Sequence, residues 1–270
     1  MAELSTDERN AIIAVAQRLA DAARKETLAH FRGAGLQTEN KSQHHFDPVT
    51  EADRAAETAM RHLLAELRPQ DSILGEEFGF HEGESDLTWV LDPIDGTRGY
   101  MSGTPTWGVL IALCGPDGPL FGVIDQPYTA ERFMGGFGLA EMHGPHGNRR
   151  LDTRETSTLE RAVLFSTFPE VGTDVERSAF HTLASQVKLT RYGMDCYAYA
   201  LLALGQIDLV VEAGLQPYDI QAPIAVIEAA GGIVTDWQGN PAHQGGRVLA
   251  AGNAQLHAAA LDILSQVPAG

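Results

Sequence analysis

The sequence predicts a mixed α/β fold, and two patterns support that prediction. Between residues 106 and 135, short apolar segments alternate with Gly/Pro turns, which is typical of an antiparallel meander. Beyond residue 155, short apolar strands alternate with helical segments, which is typical of an open sheet covered by helices. The chain has 270 residues, of which 44% are hydrophobic, enough for a large core in one or two domains.

The N-terminal part is predicted to begin with two helices. Ser5 and Glu8 form a capping box in front of apolar residues at helical spacing. A second helix is predicted to begin near Thr50 and to end before Pro69. Strands are then predicted, in chain order, in "SILGEE", "TWVLD", "TWGVLIALC", "LFGVIDQP" and "ERFMGG".

A polar, turn-rich stretch over 143–155 is the best candidate for a domain boundary. We therefore expect an N-terminal α+β domain over 1–145 and a C-terminal α/β domain over 146–270. In the second domain, strands are predicted in "AVLFSTF", "KLTRY", "DLVVEA", "IVTDW" and "VLAAGN". Helices are predicted near 174–186, in "CYAYALLALG", in "YDIQAPIAVIEAAGG" and from Ala254 onward.

Charge and composition argue against several classes of function. The formal net charge of -17 argues against a nucleic-acid or anionic-membrane partner, because both need a basic face. The N-terminus is acidic and no apolar run approaches ~20 residues, so we expect a cytoplasmic chain without a membrane segment. Cys114 and Cys196 show no metal-binding spacing and are expected to be reduced thiols.

The segment "LDPIDGT" (91–97) places two carboxylates at the end of an apolar strand. Asp92 and Asp95 repel one another unless a proton or a cation lies between them, and Pro93 is expected to stop the strand ladder. Oxygen-only clusters favour Mg²⁺, Mn²⁺ or Ca²⁺. Gly96 leads into a helical turn whose N–H groups can bind a phosphate oxygen. The segment therefore predicts a metal-dependent site for phosphoryl chemistry.

Four more carboxylates occupy similar positions. Glu76 and Glu77 follow a predicted strand and a glycine, while Asp53 and Asp219 lie at predicted helix starts. A capping role is the simpler interpretation for Asp53 and Asp219, and solvent exposure is the simpler one for Glu77. Each of these side chains nevertheless lies where backbone donors converge, so all remain candidates for the same site.

Rival motifs for phosphate and metal chemistry are missing from the sequence. No G-x-x-x-x-G-K motif occurs, so the chain has no P-loop. The spacing D-x-x-D differs from the D-x-D of an aspartyl-phosphate enzyme of the haloacid dehalogenase type. His44 and His45 are adjacent, which is not the spacing of zinc ligands.

Three blocks resemble the signature blocks of the inositol monophosphatase superfamily, which are lithium-sensitive, Mg²⁺-dependent phosphatases. They are "GEE" (75–77), "LDPIDGT" (91–97) and "PYDIQAPIAVIEAAGG" (217–232), and they occur in the family's order. The likeness extends from residue 47 to residue 253. It implies an αβαβα layered sandwich, usually a homodimer, with two or three Mg²⁺ ions and with Mn²⁺ as an alternative cation.

The resemblance also implies roles for individual residues. It implies phosphate contacts at the Gly96 and Thr97 amides. It implies that the Thr97 hydroxyl, backed by Asp53 and Glu76, positions and activates the attacking water. One ion would lower the pKa of this water and another would stabilise the leaving alkoxide. The implied metal ligands are Glu76, Asp92, the Ile94 carbonyl, Asp95 and Asp219.

Two features bear on which ester is cleaved. Arg98, followed by an aromatic residue two places on, resembles the histidinol-phosphatase branch, although Arg98 could equally be a surface arginine. In the family's register, Asp195 and Glu212 face the alcohol part of the substrate. Two carboxylates there suit histidinol, which carries an ammonium group and a titratable imidazole. Capping of the following helix is the alternative role for Asp195.

We therefore predict a Mg²⁺-dependent phosphomonoesterase that hydrolyses L-histidinol phosphate, a small-molecule ester, in histidine biosynthesis. The enzyme alternatives are an inositol-1-monophosphatase and a 3′(2′),5′-bisphosphate nucleotidase. A metal-dependent binding or regulatory protein is the alternative from outside the enzymes. The segment before Asp47 is one residue longer than the family pattern, so Lys41, His44 and His45 are given no role.

Overall fold

A computed structural model describes residues 4–33, 38–40 and 48–268. Asp47, Lys41, His44 and His45 lie outside the described residues. The described α-helices are α1 (Thr6–His30), α2 (Glu51–Leu67), α3 (Thr97–Met101), α4 (Asp174–Ala184), α5 (Cys196–Ala203), α6 (Pro217–Ala229) and α7 (Ala254–Leu264).

The described strands form two large sheets and one short pair. The strands of the pair are β1 (Thr38–Asn40) and β2 (Pro48–Thr50). Those of the first sheet are β3 (Ser72–Gly75), β4 (Gly79–His81), β5 (Thr88–Asp95), β6 (Gly108–Gly115), β7 (Gly118–Gln126), β8 (Glu131–Gly136), β9 (Leu139–His143) and β10 (Arg149–Arg150). Those of the second are β11 (Val163–Ser166), β12 (Leu189–Tyr192), β13 (Leu209–Leu215), β14 (Ile233–Thr235) and β15 (Gly246–Ala251).

The first sheet has the strand order β10-β9-β8-β7-β6-β5-β3-β4, and only β3 and β5 are parallel neighbours. The run from β5 to β10 pairs consecutive strands antiparallel, so the predicted meander is confirmed. The second sheet, in the order β12-β11-β13-β15-β14, mixes parallel pairs around β11 with antiparallel pairs around β15. Helices and strands alternate along this part of the chain, as predicted.

Three apolar clusters stack the elements into five layers. Helices α1 and α2 cover one face of the first sheet. Helices α5 and α6 lie between the other face of that sheet and the second sheet. Helices α4 and α7 cover the outer face of the second sheet. The order helix, sheet, helix, sheet, helix confirms the expected αβαβα sandwich.

Every predicted helix and strand in the described ranges is present, while the short strands β1, β2, β4, β9 and β10 were not predicted. The expectation that Pro93 ends the ladder is wrong, because β5 resumes pairing with β6 at Asp95. The division at residue 145 stays a prediction, and Arg149–Arg150 still pairs within the first sheet. Among the described helices, none is both long and apolar enough to cross a membrane.

Helix α6 packs unusually close to the first sheet because two glycines face it. Gly122 and Gly135 are cross-strand partners on β7 and β8. A Cβ atom on Gly122 would lie 2.4 Å from the Ala222 carbonyl oxygen, and one on Gly135 would lie 2.5 Å from the Val226 Cα. These contacts are with the helix backbone, which a rotamer change cannot relieve. The glycine pair therefore sets the height of α6 above the sheet.

Gly122→Ala is expected to push α6 away from the sheet and to lower the melting temperature by roughly 2–10 °C, as overpacking does. Thermal melting in EDTA measures this. Gly144→Ala is the control, because its Cβ would meet side-chain atoms and no backbone, with Met142 Sδ at 3.1 Å and Glu131 Cγ at 3.4 Å. Equal melting temperatures for the two variants would contradict the close approach.

Candidate metal and phosphate site

Three carboxylates from distant parts of the chain converge where β5 ends and α6 begins. Asp92, Asp95 and Asp219 each offer an oxygen within 4.8 Å of the others. We call these residues the three-carboxylate cluster. Asp92 is buried, and burial raises its pKa well above the usual range, with the charges of Glu76, Asp95 and Asp219 adding to the shift. Such a cluster of oxygen donors fits a hard divalent cation.

Strand alternation explains why Asp92 points toward α6. Val90, two residues earlier, packs into the layer of α5 and α6, whereas Leu91 packs toward α1 and α2. Side chains two apart share a face of a strand, so Asp92 faces the layer that contains α6. Asp219 lies in the first turn of α6 and meets it there.

A bulge brings Asp95 to the same side. Side chains three apart lie on opposite faces of a regular strand, which would separate Asp95 from Asp92. Three residue steps from Asp92 to Asp95 are instead matched by two steps from Leu110 to Gly108 on the neighbouring strand. The extra residue turns the strand and lets both carboxylates reach one point. Pro93 supplies the break in the ladder that this bulge needs.

Asp95 is held from the other side by α5. The Cys196 amide donates a hydrogen bond of 2.6 Å to Asp95 Oδ2. Burial raises the pKa of Asp95 well above the usual range, and the charges of Asp195 and Asp219 add to this, while the Cys196 amide opposes it. Cys196 and Cys114 are both buried free thiols, as expected.

Glu76 reaches the cluster from the parallel neighbour of β5. Its amide donates to the Leu91 carbonyl at 3.2 Å, which continues the pairing of the two strands past Gly75. Its carboxyl group lies beside Asp92 and contributes to the raised pKa of that residue. The parallel pairing therefore places the ends of both strands, with their carboxylates, at one edge.

Glu57, a residue that the sequence reasoning missed, holds the turn between β3 and β4. Glu57 on α2 is fully buried and accepts hydrogen bonds from the Glu77 amide at 2.7 Å and the Phe78 amide at 3.2 Å. A Cβ on Gly75 would lie only 2.0 Å from Glu57 Oε1, which explains the glycine. The signal was in the sequence, because Glu57 lies four residues after Asp53 on the same helix face.

The phosphate-binding prediction falls on a tight turn. Gly96 has φ 86°, in the left-handed region that favours glycine, and it precedes α3. The Thr97 hydroxyl donates to the Ile94 carbonyl at 3.2 Å. A Cβ on Gly96 would lie 2.7 Å from the Asp195 Cγ, so Asp195 packs directly on the turn.

Asp53 and Asp219 occupy equivalent positions in their helices. Each is the third helical residue, and its carboxylate accepts from the amide of the N-cap residue, Thr50 or Gln216, at 2.8 Å and 2.6 Å respectively. The capping interpretation is therefore confirmed as a capping box. For Asp219 it coexists with membership of the three-carboxylate cluster, of which Asp53 is not a part.

Asp195 and Glu212 form a second acidic region beside the cluster. Asp195 precedes α5 with φ 46° and makes no side-chain capping bond, so that alternative is not realised. Glu212 is 7% exposed and accepts from the Thr167 amide at 2.5 Å and hydroxyl at 2.8 Å, and from Ser166 at 3.3 Å. Burial raises the pKa of Asp195 to about 6 and that of Glu212 to about 7, and Asp195 contributes to the latter.

Arg98 lies at the rim of this second region. Its guanidinium lies 4.9 Å from the ring centre of Phe168, and its charge lowers the pKa of Asp195. Phe168 is 43% exposed and follows Thr167, which binds Glu212. Arg98 is thus exposed, as the simpler interpretation has it, and also close to the acidic region.

Comparison with known proteins identifies relatives along most of the chain. The model of the inositol monophosphatase family matches residues 8–269. The chloroplastic bifunctional phosphatase IMPL2 of Arabidopsis thaliana is 39% identical over 97% of this chain and 77% of its own length. A histidinol-phosphatase of Streptomyces coelicolor is 35% identical over 93% of this chain and 96% of its own. The structure of an inositol monophosphatase from Zymomonas mobilis superposes with a TM-score of 0.84 at 38% identity, covering 97% of this chain and 100% of that one.

Asp92→Asn is expected to raise the melting temperature in EDTA by a few degrees, at roughly 2–4 °C per kcal/mol, because it removes a buried charge beside three other carboxylates. The asparagine oxygen can keep the 3.0 Å bond from the Ile94 amide. Thermal melting measures the shift. In Mg²⁺ the wild type should have the higher melting temperature of the two proteins, because it then gains stability from the bound ion.

Asp71→Asn is the matched control for Asp92→Asn. Asp71 is also buried, but it accepts from Arg68 at 2.7 Å, Ser85 at 2.8 Å and Trp89 at 2.9 Å. Loss of that charge should lower the melting temperature in either buffer. If Asp92→Asn behaved like Asp71→Asn in EDTA, its carboxylate would be stabilised without a cation and the metal interpretation would be wrong.

Proposed function

We propose that this chain, which belongs to the inositol monophosphatase family, hydrolyses L-histidinol phosphate to L-histidinol and inorganic phosphate. The chain is a phosphatase of that family, and the choice of ester is the proposal. The observation that carries it is the second acidic region, in which the partly buried Asp195 packs on the phosphate turn and the buried Glu212 is close enough for the charge of Asp195 to raise its pKa.

The proposed cofactor is Mg²⁺, in two or three ions. The donor set fits this ion, because its carboxylate oxygens converge, Asp92 among them is buried, and they repel one another in the absence of a countercharge. Bound cations would supply Lewis acidity and neutralise charge on the phosphate. The residues proposed to hold them are Glu76, Asp92, the Ile94 carbonyl, Asp95 and Asp219.

The remaining roles belong to side chains and amides around the turn. The Gly96 and Thr97 amides would bind phosphate oxygens and orient the ester. The Thr97 hydroxyl already donates to the Ile94 carbonyl, so its lone pairs are left to accept a hydrogen bond from the attacking water. Asp53 and Glu76 would back that hydroxyl and take up the proton of the water.

The acidic region supports a cationic alcohol. Burying a carboxylate without a countercharge is unfavourable, and the hydrogen bonds that the buried Glu212 accepts come from the neutral donors Ser166 and Thr167. The ammonium group of histidinol would supply the missing charge, at about 1.5–3 kcal/mol for a hydrogen bond to a charged group. A neutral polyol offers no such compensation.

Inositol 1-phosphate is the second candidate. The Zymomonas mobilis structure named as an inositol monophosphatase is as similar to this chain as the Streptomyces coelicolor histidinol-phosphatase. Sequence identity therefore does not choose between the esters, and the acidic region is the feature that favours histidinol phosphate.

The oligomeric state and the cellular location of the enzyme are also part of the proposal. We propose a homodimer in the cytoplasm, without nucleic-acid or membrane partners, in line with the net charge of -17. We also propose that the halves divided near residue 145 complete one site between them. Glu76 and the cluster residues of β5 come from the first half, and Asp195, Glu212 and Asp219 come from the second.

Asp195→Asn tests the proposed ester. It should lower kcat/KM for L-histidinol phosphate by about 10-fold to 100-fold, the value of one hydrogen bond to a charged group. Activity toward inositol 1-phosphate should fall far less, because a neutral alcohol gains little from the charge. Asparagine is chosen because it tolerates the positive φ of this position better than alanine does. Steady-state kinetics gives the ratio of kcat/KM for L-histidinol phosphate to kcat/KM for inositol 1-phosphate, and the change in this ratio tests the proposed ester.

The ratio cancels any loss of folding or of metal, because both esters share the same protein sample. Equal losses on the two esters would mean that Asp195 supports the turn and does not contact the alcohol. A wild-type enzyme that prefers inositol 1-phosphate would overturn the histidinol assignment and leave the phosphatase activity in place.

A further inference from the structure

Helix α5 presents one face to the site, and that face carries a tyrosine. Tyr199 lies three residues after Cys196 and four after Asp195, spacings that place all three on one side of a helix. The Cys196 amide binds Asp95, and Asp195 packs on the phosphate turn. Side chains of a helix tilt toward its N-terminus, so the Tyr199 ring extends back toward these two contacts.

The Tyr199 hydroxyl is buried without a hydrogen-bond partner among the described residues. The side chain is only 4% exposed, and its oxygen has no contact with water. Two other tyrosines show the usual arrangement. The Tyr100 hydroxyl donates to the Thr27 carbonyl at 2.7 Å, and the Tyr197 hydroxyl donates to Glu131 Oε2 at 2.6 Å. An unpartnered hydroxyl is unfavourable, so its persistence at this place needs an explanation.

Strand β13 brings Glu212 to the layer that contains Tyr199. Val210 packs into the layer that contains α5, so Glu212, two residues later on β13, faces the same layer. Burial raises the pKa of Tyr199 well above its usual value, and the carboxylates of Glu212, Asp95 and Asp219 add to the shift. The hydroxyl therefore stays protonated, and the groups that add to this shift are carboxyl groups.

We propose that Tyr199 contacts the substrate, with its hydroxyl hydrogen bonded to the alcohol part of the ester between Glu212 and the three-carboxylate cluster. The inference rests on the proposed phosphatase function and adds a residue to it. In this acidic setting, the proton of the hydroxyl can turn to a carboxylate, but its lone pairs need a donor. A donor-bearing alcohol supplies one, such as the ammonium group of histidinol.

Tyr199→Phe tests this contact, because it keeps the ring in the core and removes only the hydroxyl. We expect kcat/KM for L-histidinol phosphate to fall about tenfold or more, as for loss of a hydrogen bond to a charged group. As a product inhibitor, L-histidinol should bind more weakly by a similar factor, while inhibition by inorganic phosphate should change less than about twofold. The melting temperature should equal or exceed that of the wild type.

Tyr197→Phe is the matched control on the same helix. It removes a hydroxyl whose partner, Glu131, is on β8, so the melting temperature should fall while kcat/KM stays at the wild-type value. Three results would overturn the proposal for Tyr199→Phe: kcat/KM within twofold of the wild type, unchanged inhibition by L-histidinol, or failure to fold. If the wild type prefers inositol 1-phosphate, the ester proposal fails separately, and the same comparison is then made with that ester and myo-inositol.

Discussion

The repulsion among the closely placed carboxylates of Asp92, Asp95 and Asp219, of which Asp92 is buried, is the constraint on which the rest of the site depends. Such groups stay together only if the surrounding structure leaves them no other position or if a proton or a cation compensates their charge. Here the bulge after Asp92 turns the side chains of Asp92 and Asp95 to the same side of the sheet, and the capping box of α6 orients the side chain of Asp219. The glycines under α6 keep that helix close enough for the three to meet.

The same constraint explains how a chain with a net charge of -17 can act on an anion. Cations at the three-carboxylate cluster would reverse the sign of the potential where the phosphate is proposed to bind. The carboxylates of Asp195 and Glu212 lie outside that cluster and would keep their negative character. The proposed site would therefore offer two ends of opposite charge to the substrate. An ester with an anionic phosphate and a cationic alcohol matches this polarity, whereas a neutral polyol matches only one end.

The sequence alone was sufficient for most elements and for part of the cluster, because these leave local signals. Periodicity and capping residues predicted the helices, and strand-end carboxylates next to Pro93 and Gly96 predicted the pair Asp92 and Asp95, whereas the resemblance to the family implied that Asp219 joins them. The bulge could not be predicted from the sequence. It depends on how β6 pairs with β5, where two residue steps on β6 match three on β5. Tyr199 lies in an apolar helical run where nothing distinguishes a tyrosine with a satisfied hydroxyl from one whose buried hydroxyl has no partner among the described residues. Contacts between residues far apart in sequence, such as Asp195 against Gly96, likewise appear only in the fold.

The measurement that tests the central claim most directly is phosphate release by the wild-type protein from L-histidinol phosphate, inositol 1-phosphate and adenosine 3′,5′-bisphosphate, with Mg²⁺ and with EDTA. A cation-filled cluster beside an acidic pocket predicts release only with Mg²⁺ and the highest kcat/KM for L-histidinol phosphate. Undiminished release in EDTA would contradict the metal site, and a clear preference for either of the other esters would contradict the acidic pocket as the alcohol-binding region.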